Sequence, residues 1–179
     1  MTLKINKKIG FTCSCFDLLH AGHILMLKDA KEQCDYLVVG LQTDPTLDRP
    51  EKNKPIQSQK ERYIQLEAIK YIDDIFVYDT EASLLDLLKL VKPDVRILGS
   101  DYKGKSFTGG DLNIPIYYHK RNHNYSSSNL RKEIINKAWL TLQKGCILRY
   151  VSEYICKTHK DFFGSSHLGR QNRLFQISI

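Results

Sequence analysis

Apolar runs of strand length alternate with helical periodicity through the first 137 residues, and that alternation admits few architectures. Lys8–Cys13 reads as a strand, Gly22–Gln33 as a helix, and Tyr36–Leu41 as a run apolar enough for a buried parallel strand. Ser58–Tyr71 follows with Tyr63, Ile64, Leu66 and Ile69 near helical spacing. Asp74–Tyr78 is a short strand, and Glu81–Val91 a helix carrying Leu84, Leu85, Leu87, Leu88 and Val91. Pro93 breaks the chain before the strand Val95–Leu98; Ile114–Tyr118 and Ser127–Lys137 add one strand and one helix. Such a sequence predicts an α/β fold, a parallel sheet with helices on both faces and right-handed crossovers. Ligands in these sheets bind outside the carboxyl ends of strands, at a topological switch point.

The first strand hands over to the first helix through Cys15-Phe16-Asp17-Leu18-Leu19-His20-Ala21-Gly22-His23. A helix N-terminus presents free N–H groups and a positive dipole end, which favours phosphate. Ala21 and Gly22 leave room for a bulky ligand to approach the backbone, and His20 and His23 can both donate to one polyphosphate. Such a site suits attack on a nucleotide's α-phosphate with pyrophosphate leaving. Helix-capping or surface histidines are the plainer reading of the same pair.

The segment resembles the HxGH signature of the cytidylyltransferase-like nucleotidyltransferases, and FDLLHAGH is close to its form in glycerol-3-phosphate cytidylyltransferases. The resemblance covers roughly residues 8–137 and implies a Rossmann-like fold. It sets Cys15, Phe16, His20, Ala21, Gly22 and His23 against the nucleotide, with Cys15 in place of the usual threonine. Asp17 buttresses the loop.

A second segment, Arg121-Asn122-His123-Asn124-Tyr125-Ser126-Ser127-Ser128, looks like the family's RTEGISTT motif, which closes over the triphosphate. Arg121 stands at its arginine and Ser126, Ser127 and Ser128 at its Ser-Thr-Thr. Serines before a helix also act as ordinary caps. Between the two motifs lies Arg49-Pro50-Glu51-Lys52-Asn53-Lys54-Pro55, where the family has loop lysines that screen charge as pyrophosphate departs. Lys52 and Lys54 are both candidates. Arg62 matches a family arginine that binds the nucleotide. Leu98-Gly99-Ser100-Asp101-Tyr102-Lys103-Gly104-Lys105 resembles G-x-D-[WY]-x-G-K, so Asp101 orients the acceptor or Mg²⁺, or simply caps a turn.

The implied reaction needs no covalent intermediate. An acceptor phosphate attacks the α-phosphorus in line, while His20, His23, Arg121 and a lysine stabilise the leaving group, and Mg²⁺ accompanies the triphosphate. Neighbouring phosphate favours protonated histidines. Cytidylyl transfer to glycerol 3-phosphate leads, and adenylyl transfer to a sugar phosphate is its rival. A non-catalytic nucleotide-binding regulatory module is the alternative of another class. Two departures bear on the substrates: Lys70 replaces an arginine of the glycerol-phosphate enzymes, and Leu84 lies near a position where they carry lysine.

Composition bounds the partners. The 179 residues, 42% hydrophobic, suit one compact domain at 1–140 followed by a C-terminal tail at 141–179. Net charge is +7, but +4 of it falls in 141–179 and no basic stripe interleaved with aromatics appears, which argues against nucleic acid. No stretch has the roughly 18 apolar residues of a membrane span, and Met1–Asn6 runs into lysines without a signal core, so the expectation is a cytoplasmic protein. A homodimer is left open. The five cysteines, Cys13, Cys15, Cys34, Cys146 and Cys156, form no disulfide framework, and neither Cys13-x-Cys15 nor Cys146, Cys156, His159 and His167 has a zinc spacing. No protein-held metal is expected. In the tail, Ile147–Ile155 reads as a helix or a strand and His159–Arg173 as loop.

Overall fold

The computed structural model describes residues 7–162, the side chains of 146–148 and 150–162 excepted. Five parallel strands form one sheet: β1 (Ile9–Ser14), β2 (Tyr36–Gln42), β3 (Asp74–Tyr78), β4 (Val95–Gly99) and β5 (Ile116–His119). Their spatial order is β3-β2-β1-β4-β5. β1 pairs with β2 from Ile9↔Tyr36 to Ser14↔Leu41, and with β4 at Gly10↔Val95 and Phe11↔Arg96. The chain winds one way from β1 through β2 and β3, and the other way through β4 and β5. The loops leaving β1 and β4 therefore border the switch point.

Alternate residues of each strand serve opposite faces. Leu37, Val39 and Leu41 of β2 join Val95 and Ile97 of β4 under α1 (Ala21–Lys31) and α2 (Gln59–Glu67), which contribute Leu27, Ala30 and Leu66. Val38 and Phe11 face α3 (Glu81–Val91), which lays down Leu84, Leu87 and Leu88 beside Tyr78. Each such leucine, fully buried, contributes roughly 1.5–3 kcal/mol.

Capping sets the helix starts. Ser58 and Glu61 form a capping box at α2, and Thr80 and Ser83 form another at α3. α3 ends in Lys92 at φ 49, just before Pro93. α2 stops at Glu67 rather than Tyr71 because the chain tightens into turns, Ile69 N–H to Leu66 O and Ile72 N–H to Ile69 O. β5 begins at Ile116 rather than Ile114. Pro115 has no N–H to give, and only its carbonyl joins, accepting from Arg96 N at 2.8 Å.

α4 (Ser127–Phe162) is far longer than the helix expected to end at Lys137, and Ile147–Ile155 lies within it. The chain divides into two compact units, Met1–Leu130 and Arg131–Ile179, whereas the sequence suggested a border after Leu140. Of the loop expected at His159–Arg173, the part beyond Phe162 lies outside the described residues, as does Met1–Asn6. No helix among the described residues is long and apolar enough to cross a membrane.

Candidate active site

The loop after β1 contains two left-handed residues that are not glycine, Phe16 and Leu18, both at φ 51. Such backbone costs on the order of 1–3 kcal/mol per residue and persists only where the surroundings over-determine it. Here Phe16 is buried in the core, and Asp17 Oδ1 accepts from Ile56 N at 3.0 Å and Gln57 N at 2.9 Å. Gln57 Oε1 in turn accepts from Leu18 N at 2.8 Å. The loop is fastened to the segment before α2 on both sides of its bend.

That bend delivers His20 as the N-cap of α1, its Nδ1 accepting from Gly22 N at 3.1 Å. The neutral ring therefore carries its proton on Nε2, free to donate outward. His23 stacks on His20 with ring centroids 4.0 Å apart and meets the edge of Phe16 at 5.3 Å. Burial, followed by the fields of His20 and Arg121, pushes His23 down to about 3, against the opposing field of Asp17. His20 is lowered too, by burial first and then by His123 and Arg121. Both rings are neutral near pH 7 without a ligand, and a triphosphate would raise them again.

Gly22 is fixed by crowding rather than by helix preference. A Cβ there would lie 2.9 Å from His20 Cε1 and 2.9 Å from Cε1 of His123, a residue given no role in the sequence reading. The second motif thus folds onto the first. Ser127 Oγ donates to Asp17 O at 3.0 Å, while Ser126 Oγ caps α4 by accepting from Asn129 N at 3.1 Å, and Ser128 is exposed. Arg121 is exposed and its charge reaches both His20 and His23.

The remaining expected residues fall into three places. Lys52 is exposed, and Lys54 is 80% exposed with Nζ 3.9 Å from Asp44. Asp101 sits exposed in the 3-10 turn Ser100–Tyr102 that leaves β4 at the switch point. Arg62 corrects the expectation of a nucleotide contact: it is 2% exposed, and its guanidinium is taken up by main-chain carbonyls. Nη1 donates to Cys15 O at 2.7 Å and Gln42 O at 2.6 Å, Nη2 to Thr43 O at 2.6 Å, and Nε to Gln57 O at 3.2 Å. It ties the ends of β1 and β2 to the start of α2, positioning the loop from behind. Cys15 lies against it as a thiol pushed up chiefly by burial.

A polar network on the α3 face escaped the sequence reading. Arg49 Nη2 donates to Gln42 Oε1 at 2.8 Å and pairs with Glu81 Oε1 at 2.8 Å. Glu81 accepts from the Thr108 hydroxyl, whose main-chain carbonyl accepts from Arg96, and Arg96 reaches Cys13 Sγ at 3.9 Å. Burial raises the Cys13 thiol and the Tyr78 phenol, so both stay protonated. Arg96 Nε and Gln42 Nε2 are buried without hydrogen-bond partners, and Arg49 Nε, also buried, has only Asp48 Oδ1 at 4.0 Å. The available signal was Arg96 itself, a charge inside the apolar run Val95–Leu98. Among the described residues no group of three His, Cys, Asp or Glu side chains is disposed to hold a metal.

The family model described as cytidylyltransferase-like matches residues 11–133. The chain belongs to that family. Cytidylyltransferase-like chains are nucleotidyltransferases, and this one is 42% identical over 113 residues to the bifunctional protein HldE of Campylobacter concisus. That match covers 63% of the chain and 24% of the relative. HldE of Campylobacter jejuni subsp. jejuni serotype O:2 is 35% identical over 133 residues, 74% of the chain and 29% of that protein. The chain thus spans under a third of the curated relatives it matches. The lipopolysaccharide core biosynthesis protein of Thermoplasma volcanium superposes at TM-score 0.53 with 26% identity, covering 67% of this chain and 99% of that one. The pantoate-β-alanine ligase of Francisella tularensis, at TM-score 0.52 and 23% identity, covers 79% of this chain and 74% of its own and shares the cytidylyltransferase-like fold.

Proposed function

We propose that this chain transfers an adenylyl group from ATP to a sugar phosphate and releases pyrophosphate. The observation that carries nucleotidyl transfer is the convergence of His20, His23, His123 and Arg121 on the first turn of α1 at the sheet's switch point. An acceptor phosphate oxygen attacks the α-phosphorus in line, and the bond to the pyrophosphate oxygen breaks. Negative charge shifts to the leaving group, where the His20 and His23 N–H groups, Arg121 and the Lys52 and Lys54 loop meet it. Exposed Ala21 admits the phosphates to the start of α1, where the Gly22 amide is already held by His20 Nδ1. Mg²⁺ would bind with the triphosphate, whose own oxygens supply ligands, and would draw charge from it. Its partners are then a nucleoside triphosphate and a phosphorylated small molecule.

The resemblance to HldE moves the balance away from cytidylyl transfer to glycerol 3-phosphate. The likeness to the lipopolysaccharide core biosynthesis protein of Thermoplasma volcanium also suits a sugar acceptor. Two positions point the same way. Leu84, near the glycerol-phosphate enzymes' lysine, is 2% exposed in the core, and Lys70 lies over the Tyr71 ring at 5.3 Å. The buried donors of Arg96 and Gln42 that lack hydrogen-bond partners suit an acceptor with several hydroxyls. Cytidylyl transfer to glycerol 3-phosphate remains the second reading, favoured by the string Phe16–His23.

A pyrophosphate-release assay crossing ATP and CTP with pentose, hexose and heptose phosphates and glycerol 3-phosphate tests this. The highest turnover is expected with ATP and a sugar phosphate. Preference for CTP with glycerol 3-phosphate would restore the other order, and no release with any pair would remove the reaction.

A further inference from the structure

His123 lies in the loop between β5 and α4, at the third position of the segment that resembles RTEGISTT, where that motif has glutamate, and it packs closely against the start of α1. Its Cε1 is 2.9 Å from where a Gly22 Cβ would stand, a position that His20 Cε1 approaches equally closely. Both of its ring nitrogens are buried and neither has a hydrogen-bond partner. Buried polar atoms are paired in the great majority of cases, so a ring with neither nitrogen satisfied implies a partner that arrives with a ligand. His23 Nδ1, beside it on α1, is also buried and unpartnered.

The groups around His123 define what that ligand is. From α1 it faces His20, on which His23 stacks at 4.0 Å. From its own loop come Arg121, whose charge bears on both of those rings, and Tyr125, with ring centroid at 5.1 Å. From β5 comes His119 at 6.5 Å, whose Nδ1 is held at 2.6 Å by Asp29 of α1. Asp17, in the loop before α1, is turned toward the amides of Ile56 and Gln57. Imidazole N–H groups, a guanidinium and a helix N-terminus together select an anion with several oxygens.

We propose that His123 is a third imidazole ligand of the nucleotide's triphosphate, donating a ring N–H to a phosphate oxygen beside His20 and His23. This rests on the nucleotidyl-transfer reading above. No bond forms or breaks at His123. It holds a phosphate oxygen in the ground state and as charge moves to pyrophosphate, and its role is direct contact rather than support of the loop.

The test uses the full chain with the α,β-methylene analogues of ATP and CTP as probes, and compares wild type with His123→Phe and His123→Gln by calorimetry from pH 6 to 8. Phenylalanine keeps a ring against Tyr125 but has no nitrogen; glutamine keeps an N–H donor. His123→Phe should bind the preferred analogue roughly tenfold or more weakly, as for a lost hydrogen bond to a charged group. It should bind adenosine or cytidine as wild type does. His123→Gln should recover a large part of the affinity. Wild-type affinity in a folded His123→Phe overturns the proposal while nucleotidyl transfer stands. If phenylalanine unfolds the chain, His123→Leu, which also lacks a donor, is compared with His123→Gln; equal affinity of the two for the analogue overturns the proposal. Failure of wild type itself to bind either analogue overturns the nucleotide reading, and this proposal with it.

Discussion

Ser127 donates its hydroxyl to the main-chain carbonyl of Asp17 at 3.0 Å, joining the start of α4 to the bend after β1. The Asp17 side chain meanwhile accepts two amides from the segment before α2. One residue thus gathers both ends of the candidate site. Asp17→Ala should leave two half-buried N–H groups without their acceptor and lower stability by about 1–2 kcal/mol, with Ser127→Ala costing about 1 kcal/mol. Urea unfolding of both variants measures this; an unchanged midpoint for Asp17→Ala would remove it from the scaffold.

Arg62 gives a second test of scaffold against contact. Its replacement by methionine leaves the carbonyls of Cys15, Gln42 and Thr43 without their donor. A loss of roughly 3 kcal/mol or more is expected, since hydrogen bonds to a charged group contribute about 1.5–3 kcal/mol each. A stable, folded Arg62→Met with weakened triphosphate binding would instead return this arginine to the nucleotide.

His20→Ala and His23→Ala should each lower turnover on the order of 10²–10³-fold, as removal of one preorganised donor does elsewhere. Circular dichroism should remain that of the wild type. Near-wild-type turnover in both folded variants would dissolve the site.

Acid should weaken the fold through His23 well before most carboxylates titrate. Its folded pKa is about 3, below an unfolded value of 6.5, so between those limits the unfolded chain binds more protons. Stability then rises with pH through that window and falls on acidification from about pH 6.5. Burial, the leading cause, acts on His20 in the same direction. Asp44, Glu61 and Asp73, all lowered by hydrogen-bonded partners, add their own loss at lower pH. Unfolding free energy measured from pH 7 to 5 isolates the histidines, and His23→Gln should flatten the slope there.

A chain ending at Leu140 should fold and keep its turnover, because every candidate phosphate ligand lies before Arg131. Trp139 and Leu140 are exposed on α4, so association is the property most apt to change. Turnover and thermal unfolding beside the full chain settle whether residues 141–179 serve the chemistry.

The sheet was legible because its signals are local. Asp74–Tyr78 and Glu81–Val91 match their expected bounds, the helix being announced by Thr80 and ended before Pro93. α4 was cut short in the reading because its expected end followed the family pattern, whereas the first break in its own residues is Gly145. His20 and His23 were legible as neighbours on one helix start. Arg62 was not, since an arginine at a helix start looks alike in sequence whether it meets solvent, phosphate or three carbonyls. His123 needed the fold itself. Only the return of β5 beside β4 carries its loop back over Gly22.

The cap of α1 has an electrical consequence. His20 closes the helix by accepting the Gly22 amide on Nδ1, which requires that nitrogen to hold its lone pair. A proton placed there by an approaching anion removes the acceptor, so the ring cannot be cationic and keep the helix end closed. The amide and the new N–H would then turn toward the same incoming charge. Helix end and anion are competitors for one nitrogen, and the charge state of a single ring is written into the geometry of the turn that follows it.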